Sequence, residues 1–203
     1  TITLAADLSG SGTKEAPYLI ATANDLVTFR ELVNGAGAGK TSTLYAKLTD
    51  NIDLSSLSGD WTPIATATNT YRDYVAYGGT FDGAGHTISG LHIDNAKQYQ
   101  ALFGYVKGGT VKNLTVKGSV KTSATSSPYA AGIVAYGSSV TMENCTNEVD
   151  VTATKKGYAA GVISYIGGTG STITRCTNKG AISGFGGYVG GIAGTASSMT
   201  IQN

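Results

Sequence analysis

Charge is scarce in this sequence. Charged side chains make up 13% of 203 residues, about half the share usual for a soluble protein. The surface must therefore be covered largely by the hydroxyls and amides of Thr, Ser and Asn. With 14 Lys and Arg against 13 Asp and Glu, no basic field exists to attract phosphates or anionic lipid, which argues against nucleic acid as a partner. The two cysteines, Cys145 and Cys176, are too few for a disulfide framework and match no metal-ligand cluster. His86 and His92 have no third ligand at a suitable spacing, so a zinc site lacks its set. No run approaches the ~20 apolar residues needed to cross a bilayer, so direct membrane insertion is not expected. Thr1 to Leu8 lacks the charged-then-apolar layout of a signal peptide, which implies a removed export signal or an excised domain.

Helical periodicity is also missing from the second half, where a repeat near 30 residues takes its place. Thr141-Met142-Glu143-Asn144-Cys145-Thr146-Asn147 returns as Thr172-Ile173-Thr174-Arg175-Cys176-Thr177-Asn178, and Thr200-Ile201-Gln202-Asn203 begins it again. Thr110-Val111-Lys112-Asn113-Leu114-Thr115-Val116 is a degenerate earlier copy. A second phrase interleaves: Ala131-Gly132-Ile133-Val134-Ala135, Ala160-Gly161-Val162-Ile163-Ser164 and Gly190-Gly191-Ile192-Ala193-Gly194, with Ala101-Leu102-Phe103-Gly104 before them. Glycine runs such as Gly167-Gly168-Thr169-Gly170 exclude the amphipathic helices of helical repeat arrays. Short apolar runs separated by Gly, Asn and Ser describe one coil of a β-solenoid. Equivalent residues would stack as ladders about 4.8 Å apart. The fold expected is all-β: a right-handed parallel β-helix forming a single domain over 1–203, with regular repeats over 99–203.

Residues 1–98 read as irregular coils. Thr22-Ala23-Asn24-Asp25 followed by Leu26, Phe29, Leu32 and Val33 and closed by Asn34-Gly35 predicts a capped amphipathic helix over about 22–34. Such a helix would cover the N-terminal end of the solenoid, where strand edges and core groups lie bare. Strands are expected at Leu44–Leu48, Asn51–Leu54 and Gly79–Ile88. Ser55 to Tyr77 reads as a long excursion. The sequence stops one residue before the next cysteine-equivalent position without a visible cap, which suggests a fragment of a longer protein, or an end completed by end-to-end self-association.

The alternation of Gly-apolar-apolar-small phrases with Asn-Cys-Thr-Asn phrases resembles the GLUG-type repeats of bacterial surface β-helix proteins. Gly191-Ile192-Ala193-Gly194 fits that motif fully, whereas Gly132-Ile133-Val134-Ala135 and Gly161-Val162-Ile163-Ser164 depart at the last place. The leading segment is similar to the start of such domains through Gly10-Ser11-Gly12-Thr13, Pro17-Tyr18-Leu19-Ile20, Trp61-Thr62-Pro63-Ile64 and Phe81-Asp82-Gly83-Ala84-Gly85-His86-Thr87-Ile88. The resemblance implies an extracellular protein, on the bacterial cell surface or secreted. Similar domains occur in adhesins, in cell-wall proteins and as noncatalytic parts of IgA-specific metalloendopeptidases.

Right-handed β-helices also host polysaccharide lyases and glycosidases, which line one face with carboxylates. The acids here are few, and Asp53 and Asp82 have a turn explanation. Gly83 to Gly85 continue into a strand, with no helix N-terminus to hold a dinucleotide. Cys145 and Cys176 are expected as inward-facing free thiols, because in-register stacking misaligns their Cβ vectors for a disulfide. No catalytic residue, metal or cofactor is expected. A partner surface is: Trp61, Tyr71, Arg72, Asp73, Tyr74 and Tyr77 concentrate aromatic and polar groups in the excursion, suited to a host or neighbouring surface protein or a glycan. Tyr99, Tyr105, Tyr129, Tyr136, Tyr158, Tyr165 and Tyr188 recur along the repeats, as contact or as packing residues. A carbohydrate-active enzyme on the same fold is the alternative. Ice binding through Thr141, Thr172 and Thr200 would need a flatter, more regular threonine array.

Overall fold

In the computed structural model, which describes residues 8–69, 73–197 and 199–202, parallel strands stack as a solenoid of about six turns. The first sheet carries rungs at Tyr18–Ile20, Ala46–Leu48, Thr80–Asp82, Thr110–Thr122, Thr141–Ala153, Ser171–Thr174 and Met199–Gln202. Its register is the sequence repeat made physical: Thr110 pairs with Thr141, Thr141 with Thr172 and Thr172 with Thr200. A second sheet runs through Lys40–Ser42, Asp73–Tyr77, Phe103–Lys107, Val134–Ser138, Ile163–Gly167 and Ala193–Thr195. A third stacks Tyr99–Gln100, Tyr129–Ala131, Tyr158–Ala160 and Tyr188–Gly190.

Thr141–Ala153 shows why these residues form a bent rung. Met142, Cys145, Asn147, Val149 and Val151 all face inward. Strict alternation is broken once, at Asn144, whose φ of +51° is left-handed. The equivalent residues Asn113 and Arg175 share that geometry, with φ of +53° and +51°. A left-handed residue at this same place in three successive coils swings the chain around a corner, and Asn tolerates that conformation better than most side chains. The inward positions build a continuous column, with Phe81, Val111, Met142 and Ile173 paired in succession. Cys145 and Cys176 are both buried and both free thiols.

Among the described residues there is one helix, α1 (Ala23–Asn34). Thr22 is its N-cap: the Asp25 amide donates to the Thr22 hydroxyl at 3.2 Å, and the Thr22 amide donates to the Asp25 carboxylate at 2.9 Å. This reciprocal box satisfies two otherwise orphaned donors. Leu26, Phe29 and Val33 point into the core, and Phe29 meets Tyr77 at 6.0 Å and Phe81 at 5.9 Å between ring centroids. Phe103 completes the cluster against Tyr77 and Phe81. The helix therefore covers the irregular first coils as the sequence predicts.

The span from Ser55 to Tyr77 differs from a free excursion. Ile64 bridges in parallel to Phe103, and Asp73–Tyr77 is a full rung of the second sheet between Lys40–Ser42 and Phe103–Lys107. Ala67–Asn69 adds an antiparallel partner to that rung. In a strand, residues three apart face opposite sides. Tyr77 thus turns inward, fully buried, and its hydroxyl donates to the Leu44 carbonyl at 2.8 Å.

Candidate functional site

The six residues expected to contact a partner separate. Tyr77 belongs to the core and is corrected from contact residue to packing residue. Trp61 is also buried, because its amide donates to the His92 carbonyl and its indole N–H to the Leu102 carbonyl, drawing the loop onto the coils. Only an edge of a cleft remains to it. Asp73 is exposed and accepts a 2.5 Å hydrogen bond from the Thr68 hydroxyl. Tyr74 is half-buried, edge-on to Tyr105 at 5.3 Å with the Lys107 ammonium 5.5 Å from its ring. Tyr71 and Arg72 lie outside the described residues.

Two surface features stand out instead. The first is a cleft of about 650 Å³ where three elements meet. α1 supplies Val27 and Arg30, the loop over 54–62 supplies Leu57, Ser58, Asp60 and Trp61, and the strand Thr87–Asn95 supplies His92. The Arg30 guanidinium lies 4.8 Å from the Trp61 ring centroid and is bonded to Glu31 at 2.6 Å. Asp60 accepts hydrogen bonds from the Asn95 side chain and the Asp94 amide, both at 3.0 Å. Those two donors, the Asn95 side chain foremost, hold its pKa below the ordinary aspartate value. His92 Nε2 sits 3.8 Å from the Asp60 carboxylate. No sequence motif marks this cleft, since its walls are far apart in the chain.

The second feature is a double tyrosine ladder. Tyr99, Tyr129, Tyr158 and Tyr188 stack with ring centroids 4.8, 4.9 and 5.2 Å apart and planes within 7° of parallel. A parallel column, Tyr74, Tyr105, Tyr136 and Tyr165, meets the first edge-to-face, as between Tyr129 and Tyr136 at 5.7 Å and 78°. The columns close over a small apolar cluster of Tyr99, Ala101, Ala131 and Ala135, separate from the main core. The repeat thus has a structural sense: in Tyr129-Ala130-Ala131-Gly132-Ile133-Val134-Ala135-Tyr136, alanines let the two arms approach and tyrosines seal the corner. In the last coil Thr195 replaces the tyrosine opposite Tyr165, and that column ends. The rings of the first column stack face to face and cover one another, whereas Tyr188 at its end is largely exposed; in the second column only Tyr136 and Tyr165 stack, and Tyr74, Tyr105 and Tyr136 meet edge to face. Burial, followed by the charges of neighbouring tyrosines, raises the pKa of Tyr129.

The acids are arranged for register. Lys112 meets Asp82 at 3.3 Å, Lys121 meets Asp94 at 3.0 Å and Lys117 meets Glu148 at 2.9 Å, each pair directly opposite on adjacent coils. Lys179 reaches Glu148 from the next coil at 3.2 Å, and Arg175 pairs with Glu143. A chain of side-chain hydrogen bonds climbs one corner: the Arg175 guanidinium donates to Asn144 at 2.7 Å, Asn144 to Asn113 at 3.0 Å, and Asn113 to Asp82 at 2.9 Å. Burial alone would raise Asp82, but the bonds from Asn113 and the Ala84 amide and the nearby Lys112 leave its pKa lowered. Among the described residues no group of three or more His, Cys, Asp or Glu could hold a metal ion.

Comparison with known proteins bears on this fold. No family model matches the chain. It is 32% identical over 152 residues to Halomucin of Haloquadratum walsbyi, covering 70% of this chain and 2% of that protein. It is 33% identical over 115 residues to the "Putative Gly-rich membrane protein" of Evansella cellulosilytica, covering 54% of this chain and 12% of that one. The chain thus spans a small part of either relative. Among solved structures it is similar to the crystal structure of "a putative immunoglobulin A1 protease from Bacteroides ovatus", with a TM-score of 0.72, 22% identity, and coverage of 95% of this chain and 57% of the other. At that identity the likeness establishes the fold, a β-solenoid.

Proposed function

We propose that the chain is a noncatalytic surface module: a stiff solenoid segment of a secreted or cell-surface protein that presents its side faces to a protein or glycan partner. The observation that carries this reading is the use made of the carboxylates. Asp82, Asp94, Glu143 and Glu148 are each tied to a cation or amide on an adjacent coil. A glycosidase or lyase instead needs a proton donor whose pKa is held up near the working pH. The described carboxylates with a resolved shift, Asp53, Asp60, Asp82 and Glu148, are all lowered. Halomucin and the Evansella protein, by their names, are in keeping with a location at the cell surface. Among the described residues no helix is long and apolar enough to cross a membrane.

A second reading is favoured by the Bacteroides likeness: a noncatalytic part of a larger secreted protease. Both readings give the same role to this chain, which is to hold and to contact. Surface plasmon resonance against a panel of glycans and extracellular proteins tests it. Saturable binding of at least one ligand by the isolated chain supports the reading, and a panel without any binding contradicts it.

A further inference from the structure

We infer that the cleft between α1, the loop over 54–62 and His92 is a binding site for an uncharged saccharide of one or two units. This deepens the surface-module reading and rests on it. Size comes first: about 650 Å³ lies within the range of sites that enclose a small ligand. Charge comes second. The two ionic groups of the walls are already engaged, Arg30 by Glu31 at 2.6 Å and Asp60 by two N–H donors at 3.0 Å. An ionic ligand would have to displace one of those partners, whereas a polyol would not.

The polar groups also suit hydroxyls. Each Asp60 oxygen already accepts one hydrogen bond, and a carboxylate offers about four acceptor positions, so capacity remains for sugar hydroxyl donors. Nε2 of His92, whose Nδ1 is bonded to the Ser119 hydroxyl at 3.2 Å, and the hydroxyl of Ser58 can bond sugar hydroxyls in return. Val27 and Leu57, both half-buried, supply the apolar surface against which the C–H face of a sugar packs. The walls are fixed before any ligand arrives. The Leu54 amide donates to the Ser89 carbonyl at 2.9 Å, the Leu57 amide to the Leu54 carbonyl at 3.0 Å and the Trp61 amide to the His92 carbonyl at 2.8 Å. A site held in this way loses little entropy when it is filled.

The sole tryptophan, Trp61, lies in the cleft wall beside the Arg30 guanidinium, so its fluorescence reports occupancy. The full chain is titrated with neutral mono- and disaccharides and, separately, with uronic and sialic acids. The expected result is a saturable change with at least one neutral sugar. Ser58→Arg, at an exposed rim position, abolishes that change, and His92→Ala weakens the affinity about tenfold, the equivalent of one lost hydrogen bond. Thermal unfolding of both variants matches the parent. The inference is overturned if neutral sugars leave the fluorescence unmoved, if acidic sugars alone bind, or if both variants bind at parental affinity. Should Ser58→Arg unfold early, His92→Ala decides by itself. Retention on the partner found by surface plasmon resonance separates the two readings: if the variants lose the sugar but keep that partner, or if the sugar never binds while that partner does, the module stands and its partner lies elsewhere on the surface.

Discussion

The side-chain oxygen of Asn147 occupies the space a methyl group on Gly132 would need: a Cβ built there would lie 1.7 Å from Asn147 Oδ1. The next coil repeats the relationship, with Asn178 Oδ1 2.2 Å from a Cβ built on Gly161. The two interleaved phrases of the repeat therefore meet inside each coil, the glycine of one making room for the asparagine of the other. Asn147, fully buried, donates to Asn178 Oδ1 at 2.7 Å and to the Val149 carbonyl at 3.0 Å, so the amides form an internal ladder. One coil earlier Val116 pairs with Asn147, and there the glycine is absent too, replaced by Ala101-Leu102.

This coupling predicts a non-additive mutant cycle. Gly132→Ala should destabilise by about 1–3 kcal/mol through overpacking. Asn147→Val should destabilise by a similar amount, because the Val149 carbonyl and Asn178 lose their partner inside the core. The double variant, in which the added methyl no longer meets the asparagine oxygen, should be more stable than the sum of the two by at least ~1 kcal/mol. Denaturant unfolding measures the cycle, and simple additivity would sever the proposed link between the phrases.

The acid side of the stability profile should follow Asp82. Its folded pKa lies below its unfolded value, so its contribution is present above the unfolded aspartate pKa and is lost as pH falls through the folded one. Asp82→Ala should cost about 1–2 kcal/mol at neutral pH, because the Ala84 amide and Asn113 each lose an acceptor. The gap between the parent and the variant should narrow as pH falls through the lowered folded pKa. Thermal melts from neutral to acid pH check this, and a difference that stays constant with pH would refute it.

The tyrosine ladder makes the opposite prediction at alkaline pH. Tyr129 and Tyr158 have raised folded pKa values, from burial first and neighbouring tyrosines second. Their contribution is intact below the unfolded tyrosine pKa and is lost as pH rises through the folded one. Ultraviolet titration should show a group of phenols ionising later than free tyrosine, with unfolding setting in over the same range. Tyr129→Leu should remove a late-ionising phenol from the titration and leave Tyr158 raised by its own burial and by Tyr165 and Tyr188. A single titration step at the ordinary tyrosine pKa would contradict the stacked arrangement.

The helix should contribute by packing rather than by its length. Twelve residues form too short a helix to be stable alone, so α1 depends on Leu26, Phe29 and Val33. Phe29→Ala removes a ring enclosed by Tyr77 and Phe81 and should cost about 3–5 kcal/mol. Far-ultraviolet dichroism and melting would record the loss. A cost under ~1 kcal/mol would mean that the helix does not cover this end of the core.

Much of this molecule could be read from its sequence because solenoid register is translation along the chain. The step from Thr141 to Thr172 appears directly as a strand pair, and the Thr22–Asp25 cap needs only local chemistry. The tyrosines were visible as a recurrence, but their stacking depends on how two sheets meet at a corner. Trp61 and Tyr77 misled for a definite reason. A segment without a repeat resembles a loop, yet Asp73–Tyr77 enters the second sheet through pairing with Lys40–Ser42, a partner distant in sequence. The cleft was equally hidden, since Arg30, Asp60 and His92 converge only once the helix is seated.

The measurement closest to the central claim is product analysis by mass spectrometry of polysaccharides and glycoproteins retained by the chain, after prolonged incubation at several pH values. A noncatalytic contact module leaves every bound glycan and polypeptide at its original length. New reducing ends, unsaturated sugars or cleaved peptide bonds, disappearing when Asp60 or another acid is neutralised, would show that the carboxylates serve chemistry rather than register.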